Sequence, residues 1–320
     1  MKTEEVTGYR FRPSDLKISA RKPGISAFLR CRNAADFIEA AIRSHMPFFD
    51  EIVAVYNRCE DETPRILERL ADEFSPRIRV FHYLDTVHPV GSSRHAQTPA
   101  QSPNSIVTYY NFSLAQTRYA WAAKLDDDHL AIPSAFDKIV RPIRAGQADP
   151  RVHYCFSGLN VARTDRGGLG VPAVDPVAGS GDHGFFKVSQ ATHFFHDPRF
   201  ERFAHATLKR RFSGFCYWHL KYLKDGHGFR NYDLSDNPNS RYLKKKTQFE
   251  SSGVVSLSRA CQLLRPGAPD WLAALLNEKA RLKRARNAAA QAAFPDASIE
   301  AALDRLSPGW RAAIGIDPQA

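Results

Sequence analysis

Apolar positions fall in alternating blocks over the first 130 residues, and the blocks switch between two periods. The run GISAFLRCRN is short, apolar and ends in polar residues, which predicts a strand. AADFIEAAIRSH comes next, with helical spacing that puts Phe37, Ile38, Ala41 and Ile42 on one face, until Pro47 breaks it. DEIVAVYN predicts a second strand. ETPRILERLADEF predicts a second helix, with Pro64 in its first turn and Ile66, Leu67 and Leu70 inward. RIRVFHYL predicts a third strand. Strands alternating with helices at this pitch imply βαβ units and a largely parallel sheet. Residues 85–107 interrupt the rhythm with a Pro/Ser/Gln-rich stretch too long for an ordinary connection, as expected of a lid or binding loop. TYYNFSLAQTRY then predicts a helix leading into the strand AWAAKLDDD.

That last strand ends on three acids, Asp126, Asp127 and Asp128. Ligands of open α/β sheets bind beyond the carboxyl ends of the strands, where such a cluster reaches solvent and can hold a cation. With the strand persisting, Asp126 and Asp128 point one way and Asp127 the other. Two oxygen ligands on one side suit Mg²⁺ or Mn²⁺. The plainer reading is a solvated acidic turn ahead of a helix starting near Pro133.

Bulk properties narrow the setting. The chain has 320 residues, enough for one large α/β domain or a smaller one with an appendage. It is 43% hydrophobic and 25% charged, as expected of a globular protein, and its net charge of +11 favours anionic partners. Five scattered cysteines without a C-x-x-C pair argue against a zinc site or a disulfide framework and for a reducing compartment. No stretch approaches 18 apolar residues and MKTEEVTGYRFRPSDLK has no apolar core, so a cytoplasmic protein is expected.

Three motifs in order resemble the family 2-like glycosyltransferases of the GT-A fold. ISAFLRCRNAADFIEAAIRSH is similar to their opening strand and helix, with Asn33 and Ala34 matching. VYNRCEDET resembles V-D-N-x-S-x-D-x-T through Asn57, Asp61 and Thr63. YYNFSLAQTRYAWAAKLDDDH resembles the stretch running into the D-x-D element through Asn111, Asp126 and Asp128. The resemblance covers roughly residues 25–135. It implies a GT-A fold: a Rossmann-like, mixed but mostly parallel sheet flanked by helices, here with a helical C-terminal extension. Residues 1–22 then form an N-terminal extension, 23–135 a nucleotide-sugar half, 136–260 an acceptor half and 261–320 a basic helical extension.

The resemblance also implies the chemistry: a sugar moved from a nucleotide-sugar donor to a hydroxyl of a glycan or lipid-linked saccharide. The donor lies against Arg32, Asn33, Tyr56, Asn57, Asp61, Asn111 and Asp126. Mn²⁺ or Mg²⁺ lies on Asp126 and Asp128, with a later histidine, His183 or His219, as a further ligand. Two departures stand out. Tyr56 replaces an aspartate that meets the nucleoside, and can stack on a base but not accept its hydrogen bonds. Tyr110 replaces an arginine, for which Arg94 or His95 of the long loop are substitutes, although such a loop is usually solvated.

In the second half RVHYCFSGLNVAR is strand-like. GSGDHGFFKVSQATHFFHDPRFERF resembles the family's strand, short helix and Phe-containing segment, and YWHLKYLKDGHGFRNYDL its next helix, glycine and last strand. The acidic pair that opens that helix in the family would fall on Gly214 and Phe215, so the expected base is missing from its place. Asp182, Asp197 and Glu201 lie nearby, and Asp182 and Glu201 are the two candidates for deprotonating the acceptor. Trp218 is expected to be buried. The tail KARLKRARNAAAQAAF predicts a basic helix, either packed on the domain with a solvated face or lying on anionic lipid. Nucleic acid is not an expected partner, because no RNA-binding signature appears. Two other readings compete: a sugar nucleotidyltransferase, against which the absent Gly-rich phosphate loop counts, and a non-catalytic basic polysaccharide- or RNA-binding protein on a decayed scaffold.

Overall fold

The structure, a computed structural model, describes residues 3–179, 183–198, 200–203, 208–232, 234–265, 273–275 and 277–316. The first half has the alternation expected of it: β1 (Glu4–Val6), β2 (Lys22–Cys31), α1 (Ile38–His45), β3 (Glu51–Tyr56), α2 (Thr63–Glu73), β4 (Ile78–Tyr83), α3 (Ser93–Gln97), α4 (Ile106–Ala115), β5 (Tyr119–Lys124), β6 (His129–Ala131) and α5 (Pro133–Arg144). The second half is dominated by strands: β7 (Val152–Arg163), β8 (Leu169–Pro172), β9 (Val177–Ala178), β10 (Gly184–Lys187), β11 (Phe194–Asp197), β12 (Phe200–Phe203) and β13 (Lys209–Tyr222). It closes with α6 (Arg241–Ser252), β14 (Val254–Val255), α7 (Leu257–Leu263), α8 (Glu278–Ala293), α9 (Ile299–Leu306) and α10 (Trp310–Ala313).

The main sheet runs β1-β4-β3-β2-β5-β10-β7-β13-β6. β1, β4, β3, β2 and β5 are mutually parallel, β10 is antiparallel to both neighbours, β13 is parallel to β7, and β6 is antiparallel to β13. This is a mixed, mostly parallel α/β sheet flanked by helices. One face packs Ile38, Ile42, Leu67, Leu70 and Phe136 against Ala27, Ile52 and Ala54; the other packs α4 through Tyr109, Phe112 and Leu114 against Phe28, Val53 and Val55. Burial on both faces explains the nearly continuous apolar character of β2 and β3. The C-terminal helices cover β13 through Ala290, Phe294, Leu303 and Trp310, and seal in Trp218, whose Nε1 donates to Ser307 Oγ at 3.1 Å.

Two expectations fail in the second half. YWHLKY is not a helix but the end of the 14-residue β13. Its run from Phe215 to Trp218 is buried between β7 and β6, and a fully buried strand has the same unbroken apolar signal as a buried helix. Its aromatic content favours the extended form. Gly214 and Phe215 therefore open no helix. Gly214 has φ 136° where the register against β7 shifts, a bulge that suits glycine, and Phe215 sits in the core. The Phe-containing segment forms the β11–β12 hairpin, and where a short helix is expected before it, residues 188–193 are loop and turn.

The long loop after β4 is ordered by side chains. Asn57 Nδ2 donates to the carbonyls of Tyr83 and Asp85 at 2.6 and 2.8 Å, and Asn104 Nδ2 to that of Thr86 at 2.8 Å. Asn237 Nδ2 donates to Gly91 O at 2.8 Å, and Ser92 caps α3.

Candidate functional site

β2, β3, β4 and β5 run parallel and stop at nearly one level, and the residues just past their carboxyl ends line a single cavity of about 740 Å³. Arg32 comes after β2, Asn57 after β3, Val87, Pro89 and Val90 after β4, and Asp126 to Asp128 after β5. β7 adds Ser157 and Asn160, and β13 with its sequel adds Tyr217, His219, Lys221 and Lys224. Glu201 of β12 and the inward side of α8 complete the lining.

β5 ends at Lys124, so alternation does not govern the three aspartates, and all three face the cavity. Asp126 is 3.0 Å from His183 Nε2 and 3.7 Å from His129 Nε2, with Lys124 Nζ at 3.8 Å. Asp128 is 3.2 Å from His219 Nε2, and Lys224 Nζ bridges Asp127 and Asp128 at 2.8 and 2.9 Å. His219 is fixed from behind by Asn160 Oδ1 at 2.5 Å from Nδ1. His129 stacks on Tyr217 with ring centres 3.6 Å apart. Two trios of side chains can therefore hold a metal ion: Asp126, His129 and His183, and Asp128, His129 and His219.

Electrostatics keep these groups in ligating form. Burial alone raises Asp126, but Lys124 and His183 outweigh it and hold the carboxyl well below the usual range. At Asp128 burial is likewise outweighed by Lys224 and His219. Burial pushes Asp127 up to about 6 against the pull of Lys224. It also holds His129 well below its ordinary value, so the ring is neutral with a lone pair to offer. His129 Nε2 makes no hydrogen bond among the described residues.

The expected donor residues divide. Arg32, Asn57 and Asp126 line the cavity; Asn33, Tyr56, Asp61 and Asn111 do not. Tyr56 stacks on His82 with ring centres 4.4 Å apart. Asp61 accepts from the N–H groups of Ala35 and Thr63 at 2.9 and 3.0 Å, and Thr63 Oγ1 accepts from Ala34 N–H at 2.7 Å, which ties the turns after β2 and β3 together. Asn33, at φ 46°, accepts from Glu60 N–H at 2.8 Å. Asn111 grips the backbone of Phe194 in both directions, at 2.9 and 2.7 Å. Neither Arg94 nor His95 lines the cavity, and His95 Nε2 lies 3.1 Å from Asp197 O.

Of the two candidate bases, Asp182 lies outside the described residues. Glu201 faces the cavity with Lys124 Nζ at 4.0 Å. Sequence reading missed His129, Lys124, Lys224 and Arg30. His129 directly succeeds the acidic triplet and Lys124 sits two residues before Asp126, so both were open to notice; Lys224 carries no local signal, because its partner Asp127 is 97 residues away. Arg30 lies over Tyr110, with its carbon 3.5 Å from the ring centre.

No protein-family model matches the chain, and no curated protein matches it. Solved structures do. Glucosyl-3-phosphoglycerate synthase from Mycobacterium tuberculosis with Mn²⁺, UDP and phosphoglyceric acid matches at 18% identity and a TM-score of 0.28, over 51% of this chain and 52% of that one. The chain thus spans about half the length of that neighbour. The same enzyme with Mn²⁺ and UDP-glucose matches at 15% identity and a TM-score of 0.36, over 71% and 82%. S. aureus TarS 1-349 with UDP matches at 14% identity and 0.36, over 82% and 88%.

Proposed function

We propose that the protein is a metal-dependent glycosyltransferase that moves a sugar from a nucleoside diphosphate sugar to an acceptor hydroxyl. The observation that carries this reading is the pair of Asp/His trios facing a cavity at the carboxyl ends of β2 to β5. Carboxylates and neutral imidazoles suit Mn²⁺, and carboxylates Mg²⁺. The unsatisfied Nε2 of His129, shared by both trios, fits an unfilled ligand position. A cation held by Asp126 and Asp128, with His129, His183 or His219, supplies positive charge to a departing diphosphate.

The chain's own residues do the rest. Lys124 and Lys224 offset the acids, so that three neighbouring carboxylates are tolerable before any cation arrives. Arg32 and Arg30 offer charge-assisted donors at the donor end. Val87, Pro89, Val90 and Ile106 form an apolar wall for the nucleoside. In the transfer, the bond from the anomeric carbon to the diphosphate oxygen breaks and its electron pair leaves with the phosphate. The acceptor oxygen bonds to the same carbon, and its proton passes to Glu201, whose cavity position makes it our choice of base. The acceptor, a glycan or other saccharide, occupies the side toward Glu201 and α8. Three of the five basic residues of α8 (Lys279, Lys283 and Arg286) line the cavity, which leaves Arg281 and Arg284 for any contact with an anionic surface. Among the described residues no helix is long and apolar enough to cross a membrane.

Titration calorimetry with Mn²⁺ and a panel of nucleoside diphosphate sugars tests the reading. One donor binds, and Asp126→Asn weakens it by about a hundredfold or more. Donor affinity unchanged in EDTA and in the variant rejects the metal-dependent reading.

A further inference from the structure

The cavity carries more positive charge than the reaction uses. Ten cationic side chains line it: Arg30, Arg32, Lys124, Lys221, Lys224, Arg241, Lys245, Lys279, Lys283 and Arg286. They face five acids, Asp126, Asp127, Asp128, Asp175 and Glu201. The charges of a divalent cation and of a donor diphosphate cancel, so binding the donor leaves the surplus in place.

Part of that charge is already answered. Lys124 and Lys224 are spent on the aspartates, and Lys245 on Asp175 at 2.5 Å. Lys221, Lys279, Lys283 and Arg286 have no carboxylate within ion-pair distance among the described residues. Lys221 lies instead over the rings of Phe229 and Tyr232, at 4.0 and 5.0 Å. Among the described residues Arg286 donates to Gly179 O at 3.2 Å and to neighbouring Asn287, and burial lowers its guanidinium. On α8, residues 279, 283 and 286 are spaced to share one helix face. The N-terminal end of α8 opens on the same space through Asn277, Lys279 and Ala280, which adds the positive end of the helix dipole. Lys221 and Arg286 are half-buried and Lys279 and Lys283 are exposed; for the half-buried pair, a cation without a counter-charge is costly unless a ligand supplies one.

We propose that Lys221, Lys279, Lys283 and Arg286 form an anion site for the acceptor, and that the acceptor is a phosphate-bearing hydroxyl compound. This rests on the glycosyltransferase reading for the word acceptor, but the anion site is testable without it. Four cations match a dianionic phosphate with three acceptor oxygens better than a single carboxylate.

The test uses the full chain in EDTA, so that phosphate cannot bind through a metal. Inorganic phosphate, titrated by calorimetry and by ³¹P NMR, binds saturably to the natural protein. In Lys279→Glu/Lys283→Glu its affinity falls by about tenfold or more for each charge changed. The control Arg281→Glu/Arg284→Glu, with the same change in net charge on the outer face of α8, binds as the natural protein does. No saturable binding, equal loss in the control, or an adventitious ion only, bound alike by all three proteins, overturns the site. Donor titration with Mn²⁺ on the same samples separates the two ideas: phosphate without donor binding leaves the anion site and removes the transferase. Where both bind, transfer to glucose 6-phosphate and mannose 6-phosphate exceeds transfer to glucose, mannose and glucuronate. Preference for the neutral sugars or the uronic acid rejects the phosphate assignment. Sedimentation with phosphatidic acid vesicles tells a lipid headgroup from a soluble phosphate: co-sedimentation lost in the α8 cavity-face variant and kept in the control assigns the site to a headgroup, and no co-sedimentation assigns it to a soluble acceptor.

Discussion

The two ends of the cavity are built from charge in opposite ways. At the acidic floor every aspartate is answered from within the chain: Asp126 by His183 and Lys124, Asp127 by Lys224, Asp128 by Lys224 and His219. At the basic wall Lys279, Lys283 and Arg286 have no carboxylate within ion-pair distance among the described residues. The floor is a closed network that shapes the protein before any ligand is present. The wall is an open one that a ligand completes. Mutations in the floor should therefore move stability and binding together, and mutations in the wall binding alone.

Glu201, between the two, gives the largest expected effect. Glu201→Gln should keep donor affinity and lower turnover by about 10²–10⁴-fold, read in a sugar-transfer assay. A full rate passes the role of base to Asp182. Lys224→Met breaks the floor by leaving buried Asp128 and half-buried Asp127 without their shared counter-ion. Urea unfolding should show a loss of about 3–5 kcal/mol, partly restored by Mn²⁺. A change under about 1 kcal/mol would mean that the aspartates do not depend on it. Asn111→Ala gives the smallest effect and sharpens the contrast from outside both ends. It strands the backbone of Phe194 and should cost about 1–3 kcal/mol with donor affinity unchanged. A donor defect without a stability loss would return Asn111 to the binding residues.

Much of the first half was legible because its signals are local. The strands and helices from β2 to β5 were readable from period and turn residues, and the triplet was placed at a strand end. The helix expected over YWHLKY was not recoverable that way, since burial on both faces erases the period that separates strand from helix. Asn57 and Asp61, expected at the donor, are occupied in pinning loops. A short polar side chain that a fold needs for its backbone looks, in sequence, like one that a ligand needs.

By itself the amino-acid sequence determined the alternation of the first half, the acidic triplet at the end of β5 and the surplus of positive charge, all properties of neighbours along the chain. Only the tertiary structure decided which charges meet. His183 reaches Asp126 from the start of β10, the strand next to β5, and His219 and Lys224 reach Asp127 and Asp128 from β13 and its sequel; α8 turns Lys279, Lys283 and Arg286 inward, because β13 packs beside β7 and the C-terminal helices cover it. Coulomb energy depends on separation in space, and separation along the chain does not reveal it.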